Sequence, residues 1–170
     1  FAPNGDLYVV SQHARNKELA NFVTDEGGPD MRDLVTGSTG FVTSQLVRVR
    51  GAGTPGAVIQ RIDLNSTDPG QPQLFQAPQA ITQPTDVVVK GNGTDGNTRI
   101  FVTGFNSDSV GMVRPLVGGT WSVSRINTQH PTNAFSRTNL AGVMRGPRGL
   151  ALNRTQSHVY VLNRLENSVT

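Results

Sequence analysis

At 170 residues the chain is long enough for one domain of ordinary size with a real core. Its low charged (16%) and aromatic (6%) content, with 19 Gly and 10 Pro, suits many short strands joined by turns and argues against a helical bundle. The net charge of +3 comes from scattered Arg rather than a basic run, which argues against nucleic acid as a partner. There is no Cys for disulfides, zinc thiolates, iron–sulfur clusters or covalent haem, and no apolar run long enough to span a membrane.

Taken in order, residues 1–5 (FAPNG) read as a turn in which Asn4-Gly5 supplies positive φ, leading into a strand predicted over 7–12. An irregular segment is expected over 13–43, broken by Gly27-Gly28-Pro29 and by Gly37-Ser38-Thr39-Gly40, with a short helical turn at 17–23. The next strand, 44–50, alternates: Val47 and Val49 take one face, Arg48 and Arg50 the other, and Leu46 fits the pattern poorly. A turn at 51–56 precedes a strand at 57–64, and the Pro- and Gln-rich stretch 65–83 reads as a surface connection. Strands follow at 85–90, 99–105, 109–116 and 121–127. The three consecutive valines Val87, Val88 and Val89 in the first of these ask for cover on both faces. After a connection over 127–146, strands are predicted at 149–153 and 158–164, with another beginning at the last residues.

The chain repeats itself. Residues 99–110 (RIFVTGFNSDSV) answer to 158–169 (HVYVLNRLENSV), aligning Ile100 with Val159, Phe101 with Tyr160, Val102 with Val161, Ser109 with Ser168 and Val110 with Val169. Upstream, Pro84-Thr85-Asp86-Val87-Val88-Val89 faces Pro147-Arg148-Gly149-Leu150-Ala151-Leu152, and Asp6-Leu7-Tyr8-Val9-Val10 is a weaker copy of the second strand. Strand pairs repeated at this spacing point to stacked sheets that each need neighbours to bury both faces. Tyr8, Phe101 and Tyr160 then share one packing position.

The residues Pro147-Arg148-Gly149-Leu150-Ala151-Leu152-Asn153 and Val159-Tyr160-Val161-Leu162-Asn163, followed by Asn167-Ser168-Val169, resemble the YVTN type of β-propeller repeat. That resemblance implies an all-β fold, a β-propeller segment of four-stranded antiparallel blades. It divides the chain into a blade without its first strand (1–64, with the long loop 13–43), a complete blade (84–127) and the start of another (147–170). Such a segment cannot close a ring, so its expected partners are the remainder of the propeller or other protein chains. The family implies a periplasmic or extracellular location.

In that arrangement the long connections 13–43, 65–83 and 127–146 crowd one rim, where a rigid scaffold usually carries function. The rim offers His13, Arg15, Lys17, His130, Arg137, Arg145 and Arg148 as partner-binding residues, and replacing Arg145 and Arg148 by Glu is expected to weaken binding with little loss of stability. Asp25, Glu26, Asp30 and Asp33 lack the alternating oxygen ligands of a calcium loop, and the three His lack metal-ligand spacing. No nucleophile elbow or phosphate loop is present, so no catalytic residue is assigned and the cofactor is unknown. Three functions follow from the fold, one of them a hydrolase or lyase with metal ligands converging near the propeller axis from several blades; the other two are favoured. One is a non-catalytic scaffold binding another protein, domain or surface glycan. The other is the propeller part of a periplasmic redox protein, a c-type cytochrome or quinone-dependent dehydrogenase assembly, whose cofactor residues lie elsewhere.

Overall fold

The computed structural model describes residues 1–14, 42–64, 80–93, 96–128 and 144–170, with the side chain of residue 14 excepted. Ten strands run through them: β1 (Leu7–Ala14), β2 (Val42–Arg50), β3 (Val58–Asp63), β4 (Pro84–Lys90), β5 (Arg99–Gly104), β6 (Ser109–Pro115), β7 (Trp121–Asn127), β8 (Pro147–Leu152), β9 (Val159–Asn163) and β10 (Ser168–Val169). They form three antiparallel sheets, β1-β2-β3, β4-β5-β6-β7 and β8-β9-β10, and the described residues include no helix. Among the described residues no helix is long and apolar enough to cross a membrane. The predicted helical turn at 17–23 lies outside the described residues.

Each sheet is a meander in chain order, its short connections turning at left-handed residues such as Gly51, Asp108, Gly118, Gln156 and Asn167. Gly118 and Gly119 take positive φ in the β6–β7 hairpin, which closes through Leu116 N–H to the Thr120 carbonyl at 2.8 Å. The central strand β5 is buried on both faces, since Ile100 and Val102 point to one side and Phe101 to the other. Two cores result. The larger lies between β1–β3 and β4–β7 and contains Tyr8, Leu46, Ile62, Ile81, Ile100, Val102, Val113 and Val123. The smaller joins β4–β7 to β8–β10 through Phe101, Val110 and Val161. The valine run on β4 is divided as its pattern demands, with Val87 and Val89 against the first core and Val88 against the second. Full burial of each such side chain contributes about 1.5–3 kcal/mol.

The sheets are also spliced through their connections. Leu64 N–H donates to Ser44 O and Ile81 N–H to Leu64 O, both at 3.0 Å, so the chain passes from β3 to β4 under restraint. Ile81 then presses against β6 at Gly111, where a Cβ would lie 2.9 Å from Ile81 Cγ1. Glycine at 111 is what allows that approach.

Two sequence expectations need correction. The first strand runs to Ala14 and the second starts at Val42, because the ladder continues through His13–Thr43 and Ala14–Val42. The ladder is made by backbone groups, which the polarity of His13 and Thr43 does not disturb. The alternation on β2 holds, with the Arg48 face, shared by Ser44 and Leu46, entering the core and Val47 and Val49 facing the other way. Second, the shared packing of Tyr8, Phe101 and Tyr160 holds for two of them. Tyr8 and Phe101 are buried and Tyr160 is exposed.

Candidate functional site

The described residues break off after Ala14, Leu64, Gly93 and Thr128 and resume at Val42, Ala80, Gly96 and Met144. Antiparallel order puts the three longer departures, at Ala14, Leu64 and Thr128, at the same end of their sheets, and the short break between β4 and β5 at the opposite end. Each departure is held at its neck. The first is held by the Ala14–Val42 pairing and the second by the Leu64–Ile81 hydrogen bond. At the third, Thr128 donates from N–H (3.1 Å) and Oγ1 (2.8 Å) to the Asp108 carbonyl, while Asp108 Oδ1 accepts the N–H groups of Arg145 and Gly146 at 2.9 Å each.

Asp108 is therefore a pivot: it sits in the β5–β6 turn with φ +48° and binds the far side of the gap that leads to β8. Gly146 must be glycine to meet it. Its φ is +63°, and a Cβ there would lie 2.7 Å from Leu165 Cγ and 2.9 Å from Phe105 Cε2. A second carboxylate makes a similar bridge farther in. Asp86 Oδ2 accepts Leu150 N–H at 2.7 Å, and Thr85 Oγ1 donates to the Arg148 carbonyl at 3.0 Å. Both land beside the register shift between Pro147 and Gly149 in β8, where the regular ladder is interrupted.

Of the predicted binding residues, Arg15, Lys17, His130 and Arg137 lie outside the described residues. His13 and Arg148 have exposed side chains, at the end of β1 and on β8. Arg145 is different. Its side chain is only 15% exposed, its Nε lies 3.1 Å from Glu166 Oε2, and its Nη1 donates to Thr170 Oγ1 at 3.0 Å. The expectation that replacing Arg145 and Arg148 by Glu costs little stability is at odds with these contacts at Arg145. His158 is exposed, bonded to Ser157 Oγ at 2.9 Å and stacked on Tyr160 with ring centroids 6.5 Å apart.

The most heavily charged buried cluster was not visible in the sequence. Arg48 Nε and Nη2 reach Asp6 Oδ2 at 2.7 and 2.6 Å, with both residues buried. The guanidinium carbon also lies 5.6 Å from the Trp121 ring centroid, a cation–π geometry that joins β2 to β7. Tyr8, beside this pair, donates its hydroxyl proton to Gly93 O at 2.9 Å. Burial pushes the Tyr8 hydroxyl above its usual 10.0; Arg48 pulls it back and Asp6 adds to the rise. These groups are consumed in joining the first two sheets.

Open clefts also lie among the described residues. One of about 490 Å³ lies between β4–β7 and β8–β10 and is lined mainly by apolar groups, among them Phe101, Val110, Ile126, Val159 and Val161. Another, about 500 Å³, lies between β2–β3 and the β6–β7 hairpin, with Arg48, Arg50 and Trp121 in its wall. Among the described residues no three His, Asp or Glu side chains are grouped to hold a metal ion. The acidic loop residues Asp25, Glu26, Asp30 and Asp33 lie outside the described residues.

Asp6, Asp86 and Asp108 escaped the sequence reading because each works through main-chain groups or a single distant Arg, which leaves no motif. One signal existed for Asp108: the repeat aligns it with Asn167, which adopts φ +54°, so a turn residue suited to left-handed backbone recurs at one position. No family model, curated protein or solved structure matches the chain.

Proposed function

We propose that the chain is a sector of a β-propeller and acts as a non-catalytic scaffold of an extracytoplasmic protein, binding another protein, a domain or a surface glycan at the end from which its long segments leave. The observation that carries this reading is the common end of the three departures, each fixed at a bonded neck on sheets that share two apolar cores. A rigid base at that end lowers the ordering cost of binding. The strand repeat and the succession of sheets support the propeller reading, and the outer faces of the first and last sheets await cover from the rest of the propeller or from other chains. The complete lack of Cys agrees with an oxidising compartment, where a stray thiol is a liability. His13 and Arg148 offer exposed cationic or hydrogen-bonding groups at the working end, with Arg15, Lys17, His130 and Arg137 in the adjoining segments.

The test is a binding screen on arrays of surface glycans and secreted protein domains. It compares the chain with variants in which 15–41 or 129–143 is replaced by a short Gly-Ser turn. A ligand lost with either segment, while thermal unfolding stays put, supports the proposal. Binding that survives both replacements contradicts it.

A further inference from the structure

The cleft of about 500 Å³ beside β3 has both walls inside the chain, β2–β3 on one side and the β6–β7 hairpin on the other. It lies at the end opposite the three necks, so it is separate from the binding end proposed above and needs no further sheet to form. The first wall follows from register. Arg48 pairs with Gln60 and Arg50 with Val58, and residues two apart on a strand share a face, so all four side chains point to the same side. Gln60 ties that wall to the other, since its Nε2 donates to the Gly119 carbonyl at 3.1 Å.

The two arginines differ in what they have left to give. Arg48 is spent: Asp6 Oδ2 holds its Nε and Nη2 at 2.7 and 2.6 Å, and its guanidinium carbon lies 5.6 Å from the Trp121 ring centroid. Arg50 is exposed and has no ion-pair partner among the described residues, and no Asp or Glu lines the cleft. An always-charged planar donor therefore stands beside a lining that Val58, Leu116 and Trp121 make largely apolar.

We propose that this cleft binds a small organic carboxylate. The carboxylate accepts paired N–H bonds from the Arg50 guanidinium, and its apolar body lies along Val58, Leu116 and Trp121. The volume falls in the range of small-ligand sites, and a few polar groups set in an apolar lining are what such sites use to fix orientation. The Asp6–Arg48–Trp121 contacts and the Gln60 bond hold the walls before any ligand arrives, which lowers the cost of binding.

The chain has one Trp, and it lines this cleft, so its emission reads occupancy. The experiment titrates the full chain with phenylacetate and, separately, with its uncharged counterpart phenylacetamide, then repeats both on three variants checked by circular dichroism. Arg50→Gln removes the proposed anchor. Val58→Glu sets a carboxylate directly across from Arg50 on the neighbouring strand. Arg154→Gln makes the same charge change as Arg50→Gln at an exposed position in the β8–β9 turn.

Phenylacetate is expected to give a saturable emission change in the millimolar range, with phenylacetamide at least about tenfold weaker. Arg50→Gln is expected to erase that preference, Val58→Glu to abolish binding of the acid, and Arg154→Gln to leave both intact. An emission change that never saturates overturns the proposal. So do acid and amide binding alike, acid binding that survives Val58→Glu, and Arg50→Gln behaving as Arg154→Gln does.

Discussion

Asp86 and Leu150 are joined across 64 positions of sequence by a 2.7 Å hydrogen bond from the Leu150 N–H to Asp86 Oδ2. The bond crosses from one sheet to the next, and Asp108 makes the same kind of crossing to Arg145 and Gly146. Carboxylates thus hold the last sheet by its main chain, at the register shift where its own ladder leaves donors to spare.

Removing these acceptors strands N–H groups that are partly or fully buried. Asp108→Ala is expected to cost about 2–4 kcal/mol, from two lost charge-assisted bonds and an alanine in left-handed backbone. Asp108→Asn retains a carbonyl oxygen and a residue type that tolerates this φ, so it should cost clearly less. Urea unfolding of the two variants measures the difference; equal losses would show that charge, rather than the accepting oxygen, holds the joint.

The Asp6–Arg48 pair gives a different pattern. Either single change, Asp6→Ala or Arg48→Leu, leaves a buried charge unpaired and is expected to cost about 3–5 kcal/mol. The double variant should lose less than the sum, because no uncompensated charge remains. A double-mutant cycle by denaturant unfolding checks this, and strict additivity would contradict the pairing.

Tyr8 sets the alkaline limit. Its hydroxyl titrates above 10.0 in the folded chain and near 10.0 when unfolded, so above pH 10 the folded state holds the extra proton. The stability tied to the protonated hydroxyl is therefore fully present below pH 10 and is lost as pH rises through the folded value. Tyr8→Phe should lower stability at neutral pH by about 1 kcal/mol, through loss of the bond to Gly93, and flatten the decline above pH 10. Chemical unfolding between pH 8 and about 11.5 reads both effects; an unaltered alkaline slope would show that another group governs it.

Gly146→Ala should be among the most damaging glycine changes in the described residues, at about 2 kcal/mol or more, because it combines positive φ with contacts to Leu165 and Phe105 that are too close. Gly118→Ala has positive φ with open space around it and should cost only about 1 kcal/mol. Thermal unfolding of the pair separates backbone strain from crowding.

The strand order was legible because apolar alternation and Gly or Asn turns coincide. Trp121–Asn127 matches its prediction, and Val87, Val88 and Val89 are covered on both sides as their run required. Where the reading failed, distant partners decided the outcome. Alternation on β2 could not say which face is buried, since that depends on Asp6 lying opposite Arg48 and on Trp121 from another sheet. Arg145 read as a rim cation because its Glu166 partner is 21 positions away and bears no fixed spacing to it. Tyr160 matched Phe101 in type and repeat position, yet its burial depends on a neighbouring sheet that no residue described here supplies.

The claim beneath all of this is that successive sheets lie face to face. Nuclear Overhauser contacts between the Phe101 ring and the methyl groups of Val161, recorded on methyl-labelled protein, test it directly. Strong contacts are expected, since both side chains belong to the core between β4–β7 and β8–β10. A Phe101 ring that contacts only β4, β5 and β6 would show that the last sheet packs elsewhere.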